Sequence, residues 1–399
     1  MRVSTSQIYT IANIGMRNAQ AAINNTSAQM ASGQRVLTPA DDPVAATQIL
    51  QLTEQLSRLE QFNKNIDVAE NKLSLEEVAL KGVTSLVQGM QELAVSAGNT
   101  ATLTQSEYKI MASVVDSRIK ELLNLQNTKD SSGQYIFAGY QSSQAAYAEQ
   151  GGGVVYQGDD GSISLQVSES VTIQATDPGR KIFEGISTSH NTFTAYDLVA
   201  DNPITTFTVT NQHELDQVGG NTLYLNAAAG VLSVTDINGD PVPPVPSSIT
   251  YASPTDTVDV AGISFVINDG DDIALNITPE ESSILQTLTD FRDAMLSVTD
   301  STESKAALAD VVAKTLGTLD NAVTRIGEVQ SEVGARLNTL DSTRNLNADS
   351  ALYTEEVLGS LQGLDYAEAT TRLKMQELVL SAAQQSFSKV SQLSLFNYL

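Results

Sequence analysis

The chain has 399 residues, a formal net charge of -25, a hydrophobic fraction of 41%, and neither cysteine nor tryptophan. Charge of that sign is repelled by nucleic-acid phosphates and anionic lipid, which argues against any nucleic-acid role. The missing cysteines exclude a disulfide framework, a thiolate metal site and a cysteine nucleophile. No stretch approaches eighteen apolar residues, so no membrane insertion is expected. The N-terminal MRVSTSQIYTIANIGMRNAQ lacks the basic start and apolar core of a cleaved secretory signal.

Residues 1–43 predict a coiled-coil helix and an elbow. Tyr9, Met16, Ile23 and Met30 recur at a spacing of seven, with Ala12, Ala19 and Thr26 between them, the a/d seam of a coiled coil. An ordinary bundle core produces the same pattern. However, Arg17 is the only charged residue from Val3 to Ser32. A free surface helix carries many charges, so this helix suits contact with protein on several sides. Its small seam residues bury little area and make it a poor stand-alone folder. The stretch SGQRVLTPADDPVAAT (Ser32–Thr47) then stops one helix and starts another. Gly33 is placed to cap the first helix, and Pro39 pushes Thr38 out of helical geometry. Asp42 and Pro43 suit the cap and first position of the second. Arg35 is within reach of Asp41 or Asp42.

Residues 44–150 predict the N-terminal half of a helical rod. Leu52, Leu59, Ile66, Leu73, Leu80 and Val87 repeat every seven residues. A single helix over 44–97 would be about 80 Å long.

Residues 151–280 predict an inserted, mostly β domain. They hold eight of the ten prolines, and 17 acidic residues against only Arg180 and Lys181. Gly151-Gly152-Gly153 reads as a linker. Three hairpins are predicted, at GDDG within VVYQGDDGSISLQV, at Asn238-Gly239, and at Asn268-Asp269-Gly270. Residues 281–350 predict the C-terminal half of the rod, with Val312, Leu319, Ile326, Val333 and Leu340 in heptad spacing. Residues 351–399 predict a C-terminal coiled-coil helix with Leu373, Leu380 and Phe387 on its seam. The fold class is therefore α+β, with an elongated helical bundle or coiled coil formed by both chain ends. Tyr9, Met16, Ile23 and Met30 are expected to pack on Leu373, Leu380 and Phe387. Arg35, Pro39, Asp41, Asp42 and Pro43 are expected to touch a neighbouring subunit.

Catalytic, metal-binding and cofactor-binding residues are not expected. His190 and His213 lie in polar, turn-rich sequence and read as surface residues. No G-x-S-x-G, H-E-x-x-H or Walker A pattern is present. The turns Asp236–Asp240 and Asn268–Asp272 could attract calcium, but calcium needs six to eight oxygens and Asx-Gly turn chemistry explains both. Glu280-Glu281 reads as acidic residues at a helix start.

Three stretches carry a family resemblance: SGQRVLTPADDPVAAT, SSGQYIFAGYQSSQAAY (Ser131–Tyr147) and FSKVSQLSLFNYL (Phe387–Leu399). They resemble flagellin-like axial proteins of the bacterial flagellum, most of all the version at the hook–filament junction. The likeness covers about 1–150 and 282–399. It implies export unfolded through the flagellar type III apparatus without a cleaved signal peptide, and an extracellular location. It also implies terminal helices that form the inner coiled-coil tube and are typically disordered in the free monomer. The partners it implies are hook-associated protein 1, flagellin, other copies of the chain, and an export chaperone on the C-terminal helix. Flagellin itself, a secreted enzyme or adhesin domain on a flagellin-like scaffold, and a type III effector or translocator are the competing readings.

Overall fold

The computed structural model describes residues 5–99, 103–150, 153–198, 202–204, 207–218, 222–251, 256–268 and 270–395. Gly151-Gly152, Asp269 and the final FNYL, which the sequence reading used, lie outside them. Among the described residues the helices are α1 (Thr5–Ser32), α2 (Pro43–Ala97), α3 (Gln105–Gln126), α4 (Gly179–Phe183), α5 (Gln212–Gln217), α6 (Ile284–Ser297), α7 (Thr302–Gln362) and α8 (Tyr366–Leu395). The first strands are β1 (Tyr147–Gln150), β2 (Gly153–Tyr156), β3 (Ser164–Gln166), β4 (Thr172–Gln174), β5 (Ile186–Asp197), β6 (Asn202–Ile204) and β7 (Thr208–Val209). They are followed by β8 (Thr222–Ala228), β9 (Val231–Thr235), β10 (Ser248–Thr250), β11 (Asp256–Val260), β12 (Ile263–Ile267) and β13 (Asp272–Ser282).

The chain divides into two compact units. The first comprises residues 1–66, 167–171 and 341–399, and the second comprises 67–166 and 172–340. In the first unit α1 packs along α8. The turn Val167–Val171 is held by Asn347, whose Nδ2 donates to the Val167 carbonyl at 2.9 Å.

The helical part of the second unit is built on the two heptad series. Leu73, Leu80 and Val87 are fully buried, as are Leu319, Ile326 and Val333. Seven-residue spacing keeps each series on one stripe of its helix, so one face enters the core over many turns. Helix α3 packs on α6. It begins with a capping box in which Thr104 N donates to Glu107 Oε2 at 2.7 Å. Helix α6 is capped by Ser283 Oγ, which accepts from Gln286 N at 3.0 Å.

The β domain holds a six-stranded antiparallel sheet in the order β10-β9-β8-β13-β5-β6 and a three-stranded sheet β11-β12-β7. Leu223, Leu225, Leu232, Ile273 and Leu275 from the large sheet share one core with Val260, Ile263, Phe265 and Ile267 from the small one, and with Leu215 of α5. Alternation along β8, buried at Leu223, Leu225 and Ala227, puts one sheet face inward.

Two of the predicted hairpins do not form. β2 and β3, on either side of GDDG, do not pair; β2 pairs with β1, and β3 with β4. The turn is held elsewhere: Asp159 Oδ1 accepts from Tyr140 N at 2.8 Å and Gly161 N at 2.9 Å, and Tyr156 Oη donates to the Phe137 carbonyl at 3.0 Å. Across Asn268–Gly270 the chain leaves the small sheet for the large one, since β12 pairs with β11 and β7 while β13 pairs with β5 and β8. The Asn238-Gly239 turn does form, closed by Asp236 N donating to the Asp240 carbonyl at 2.8 Å. The return strand β10 comes only after Pro241, Pro243, Pro244 and Pro246, none of which has an N–H for a ladder. Two tight hairpins escape sequence rules. β8–β9 and β11–β12 turn at Ala229-Gly230 and Ala261-Gly262, with φ of 52° and 78°, and 55° and 74°. Positive φ at both positions is the usual province of Asn-Gly or Asp-Gly, and alanine there gives no signal.

Candidate assembly surface

The elbow between α1 and α2 is ordered by its own two aspartates. Gly33 takes φ of +71°, and its N–H reaches back to the Gln29 carbonyl at 2.9 Å, ending α1. Residues 38–41 form a turn with Pro39 at its second position, closed by Asp41 N donating to Thr38 O at 3.0 Å. Asp41 Oδ2 accepts from Thr38 N at 2.9 Å, Leu37 N at 3.2 Å and Thr38 Oγ1 at 3.0 Å, while Oδ1 accepts from Asn25 Nδ2 at 3.0 Å. These bonds, that of Asn25 first and then the Thr38 backbone, hold the Asp41 carboxyl below its usual range. Asp42 caps α2, with Oδ1 accepting from Ala45 N at 3.0 Å, and Pro43 is the first helical residue. Arg35 Nη1 meets Asp42 Oδ2 at 3.1 Å. The Ala45 amide chiefly, and then Arg35, lower the Asp42 pKa.

The elbow docks on a second bend. Between α7 and α8 the helix breaks at Gly363–Asp365, and Asp365 Oδ1 caps α8 by accepting from Ala367 N at 2.8 Å. Arg35 N donates to Gln362 O at 2.7 Å, Leu364 N donates to Gly33 O at 3.1 Å, and Gln34 bridges Gly363. Tyr366 Oη donates to Met30 O at 3.2 Å, and Arg372 Nη2 donates to Gln29 Oε1 at 3.0 Å. The sequence reading did not pair these bends. Its available signal was Gly363 followed by a helix-capping Asp365.

Beyond the elbow α1 and α8 run antiparallel. Arg372 lies by Gln29 at one end, and at the other the rings of Tyr9 and Phe387 meet edge to face with centroids 5.6 Å apart. Tyr9, Met16, Ile23, Met30, Leu373, Leu380 and Phe387 are all half-buried. None reaches the burial of the Leu73 or Leu80 stripe. Further round, Ile11, Ile14, Met375, Leu378 and Val379 are open to solvent, Leu378 at 67%. Among the described residues of α1 the buried positions are Thr26 and Gln29, both polar.

Of the two histidines expected at the surface, one departs from that reading. His213 is exposed, but His190 is half-buried with Nδ1 2.7 Å from Asp216 Oδ2. Asp216 Oδ1 accepts from Asn191 N at 2.6 Å, so the pair fastens β5 to α5. Glu280 does not begin a helix. It lies in β13 and pairs with Lys314 Nζ at 2.6 Å, and α6 starts four residues later. The Asp236 carboxylate is spent closing its turn, accepting from Asn238 N and Asp240 N, each at 2.8 Å. Among the described residues no group of three or more acidic or histidine side chains is arranged to hold a metal.

Comparison with known proteins returns flagellin terminal regions from sequence and a matching fold among solved structures. Residues 3–142 match the bacterial flagellin N-terminal helical region, and residues 316–399 match the bacterial flagellin C-terminal helical region. Flagellar hook-associated protein 3 of Escherichia coli (strain K12) is 28% identical over 396 residues, covering 99% of both chains. Flagellar hook-associated protein 3 of Salmonella typhimurium is 27% identical with the same coverage. The crystal structure of the flagellar junction protein of Legionella pneumophila superposes with a TM-score of 0.52 at 23% identity, covering 79% of this chain and 99% of that one. With both terminal helical regions present and the whole length matched, the chain belongs to the bacterial flagellin family of flagellar structural proteins.

Proposed function

We propose that this chain is a structural adaptor that joins the flagellar hook to the flagellin filament and assembles through its terminal helices. The observation that carries the reading is the α1–α8 pair. Its seam is only half-covered within one chain, and Ile11, Ile14, Met375, Leu378 and Val379 stand open beside it. An apolar face of this kind is stable in water only when protein covers it, and an axial layer supplies neighbouring copies. The full-length likeness to hook-associated protein 3 supports the junction role over that of the filament subunit. The partners on this reading are hook-associated protein 1 on the hook side, flagellin on the other, and sister copies within the layer. Export proceeds through the type III apparatus with a chaperone on the C-terminal helix, and the protein works outside the cell without catalysis. The acidic 151–280 domain faces water in the assembly.

The test is electron microscopy of cells lacking the gene, with flagellin assayed in the medium. Bare hooks with flagellin released outside establish the junction role. Intact filaments refute it. Loss of the major protein of sheared filaments identifies flagellin itself.

A further inference from the structure

Glu76, a buried carboxyl of the second unit, forms no ion pair of its own. Glu76 of α2 is 1% exposed, and neither of its carboxyl oxygens has a hydrogen-bond partner of good geometry, although the Asp177 backbone amide faces them. Around it the charges are already matched. Asp177, with its side chain fully buried, receives Arg336 Nη1 and Lys181 Nζ, the latter at 3.2 Å. Glu332 receives Lys181 Nζ at 2.8 Å and Arg336 Nη2 at 3.1 Å. The two cations are thus balanced by two carboxylates before Glu76 is counted. One turn earlier on α2, Lys72 is engaged by Asp130 at 2.6 Å.

An ionised Glu76 would therefore be a buried, uncompensated anion beside Asp177. Such a group sheds its charge rather than its burial. Burial first, and then the Asp177 charge, push its carboxyl well above the usual glutamate value, with Arg336 pulling the other way.

We propose that Glu76 carries a proton in the folded protein at neutral pH, and that the Glu76–Asp177–Lys181–Glu332–Arg336 cluster is a pH-sensitive latch between α2, α7 and the segment leading into β5. With Glu76 protonated the cluster is neutral and holds. When Glu76 loses its proton, the excess negative charge opposes Asp177 in a dry site and the latch loosens. The sign follows from the raised folded value. The native state binds the extra proton, so the stabilisation is complete below the ordinary glutamate range and is lost as pH rises through the folded value.

The test is hydrogen exchange of the full-length protein, wild type against Glu76→Gln, from about pH 6 to about pH 9. Peptides spanning residues 70–80 and 175–184 are read at each pH, so that intrinsic exchange rates cancel. Glutamine keeps the shape of the protonated acid and cannot ionise. The protection ratio, wild type over variant, is expected to fall with rising pH by up to about tenfold per pH unit, the limit for one proton. A ratio constant across the range overturns the proposal. If Glu76→Gln does not fold, carbon NMR of carboxyl-labelled glutamate in the wild type decides. One glutamate carboxyl still protonated at neutral pH sustains the latch, and all glutamates ionised overturns it.

Discussion

Replacing Ile23 by aspartate separates folding of the chain from its assembly. Ile23 lies on α1 between the Tyr9–Phe387 contact and the Gln29–Arg372 hydrogen bond, and it is half-buried. Full burial of an isoleucine is worth about 1.5–3 kcal/mol, so the single chain loses about half of that. An aspartate there turns its carboxylate to water, and the cores on the Leu73–Leu80 and Ile326–Val333 stripes are untouched. In a layer where neighbouring copies close over the same face, that carboxylate is stripped of water at several kcal/mol per subunit. The cost recurs at every subunit of the layer. Ile23→Asp should therefore leave circular dichroism and thermal unfolding of the remainder close to wild type and abolish assembly. Ile23→Val, which costs about 0.5–1.5 kcal/mol, should still assemble. The assay is complementation of a strain lacking the gene, scored by electron microscopy of hooks and filaments. Normal filaments carrying Ile23→Asp would refute the seam.

The remaining predictions concern single sites. Leu80→Ala removes a fully buried side chain from α2 and should cost about 2–5 kcal/mol, seen as a lower unfolding midpoint in urea. Gly33→Ala should destabilise the elbow by about 1–2 kcal/mol, because φ of +71° is unfavourable with a Cβ, and the Cβ would stand 3.3 Å from Tyr366 Oη; faster hydrogen exchange at Leu37 and Thr38 checks it. Asp41 has a lowered pKa in the folded elbow, so its contribution is present above the usual aspartate value and lost as pH falls through the folded one; exchange at the same two amides should accelerate only in strong acid.

Much of the molecule was written in local sequence. The heptads Leu59–Val87 and Val312–Leu340 named the core stripes of α2 and α7, because a side-chain period close to the helical period leaves one solution for burial. The elbow was legible for a similar reason. Gly33, Pro39, Asp42 and Pro43 act through φ restriction and capping, which need only nearby residues. Asp41 was anticipated as an ion-pair candidate for Arg35, and its carboxylate instead ties Asn25, Leu37 and Thr38, while Arg35 goes to Asp42. That choice between two adjacent aspartates depends on where α1 brings Asn25, sixteen residues away.

The sequence anticipated that α1 and α8 pair, but left open how the strands pair and how the two bends dock. The Asn268–Gly270 turn looks like a hairpin, yet its flanking strands belong to different sheets, since either could meet other partners of equal pattern. The docking of the elbow on the Gly363–Asp365 bend joins residues more than three hundred positions apart. Hydrophobic period and turn chemistry therefore fixed the elements and their inward faces. Strand order, the two docked bends and the unpaired burial of Glu76 were settled only when the chain closed on itself, because those depend on which surfaces compete for the same partner.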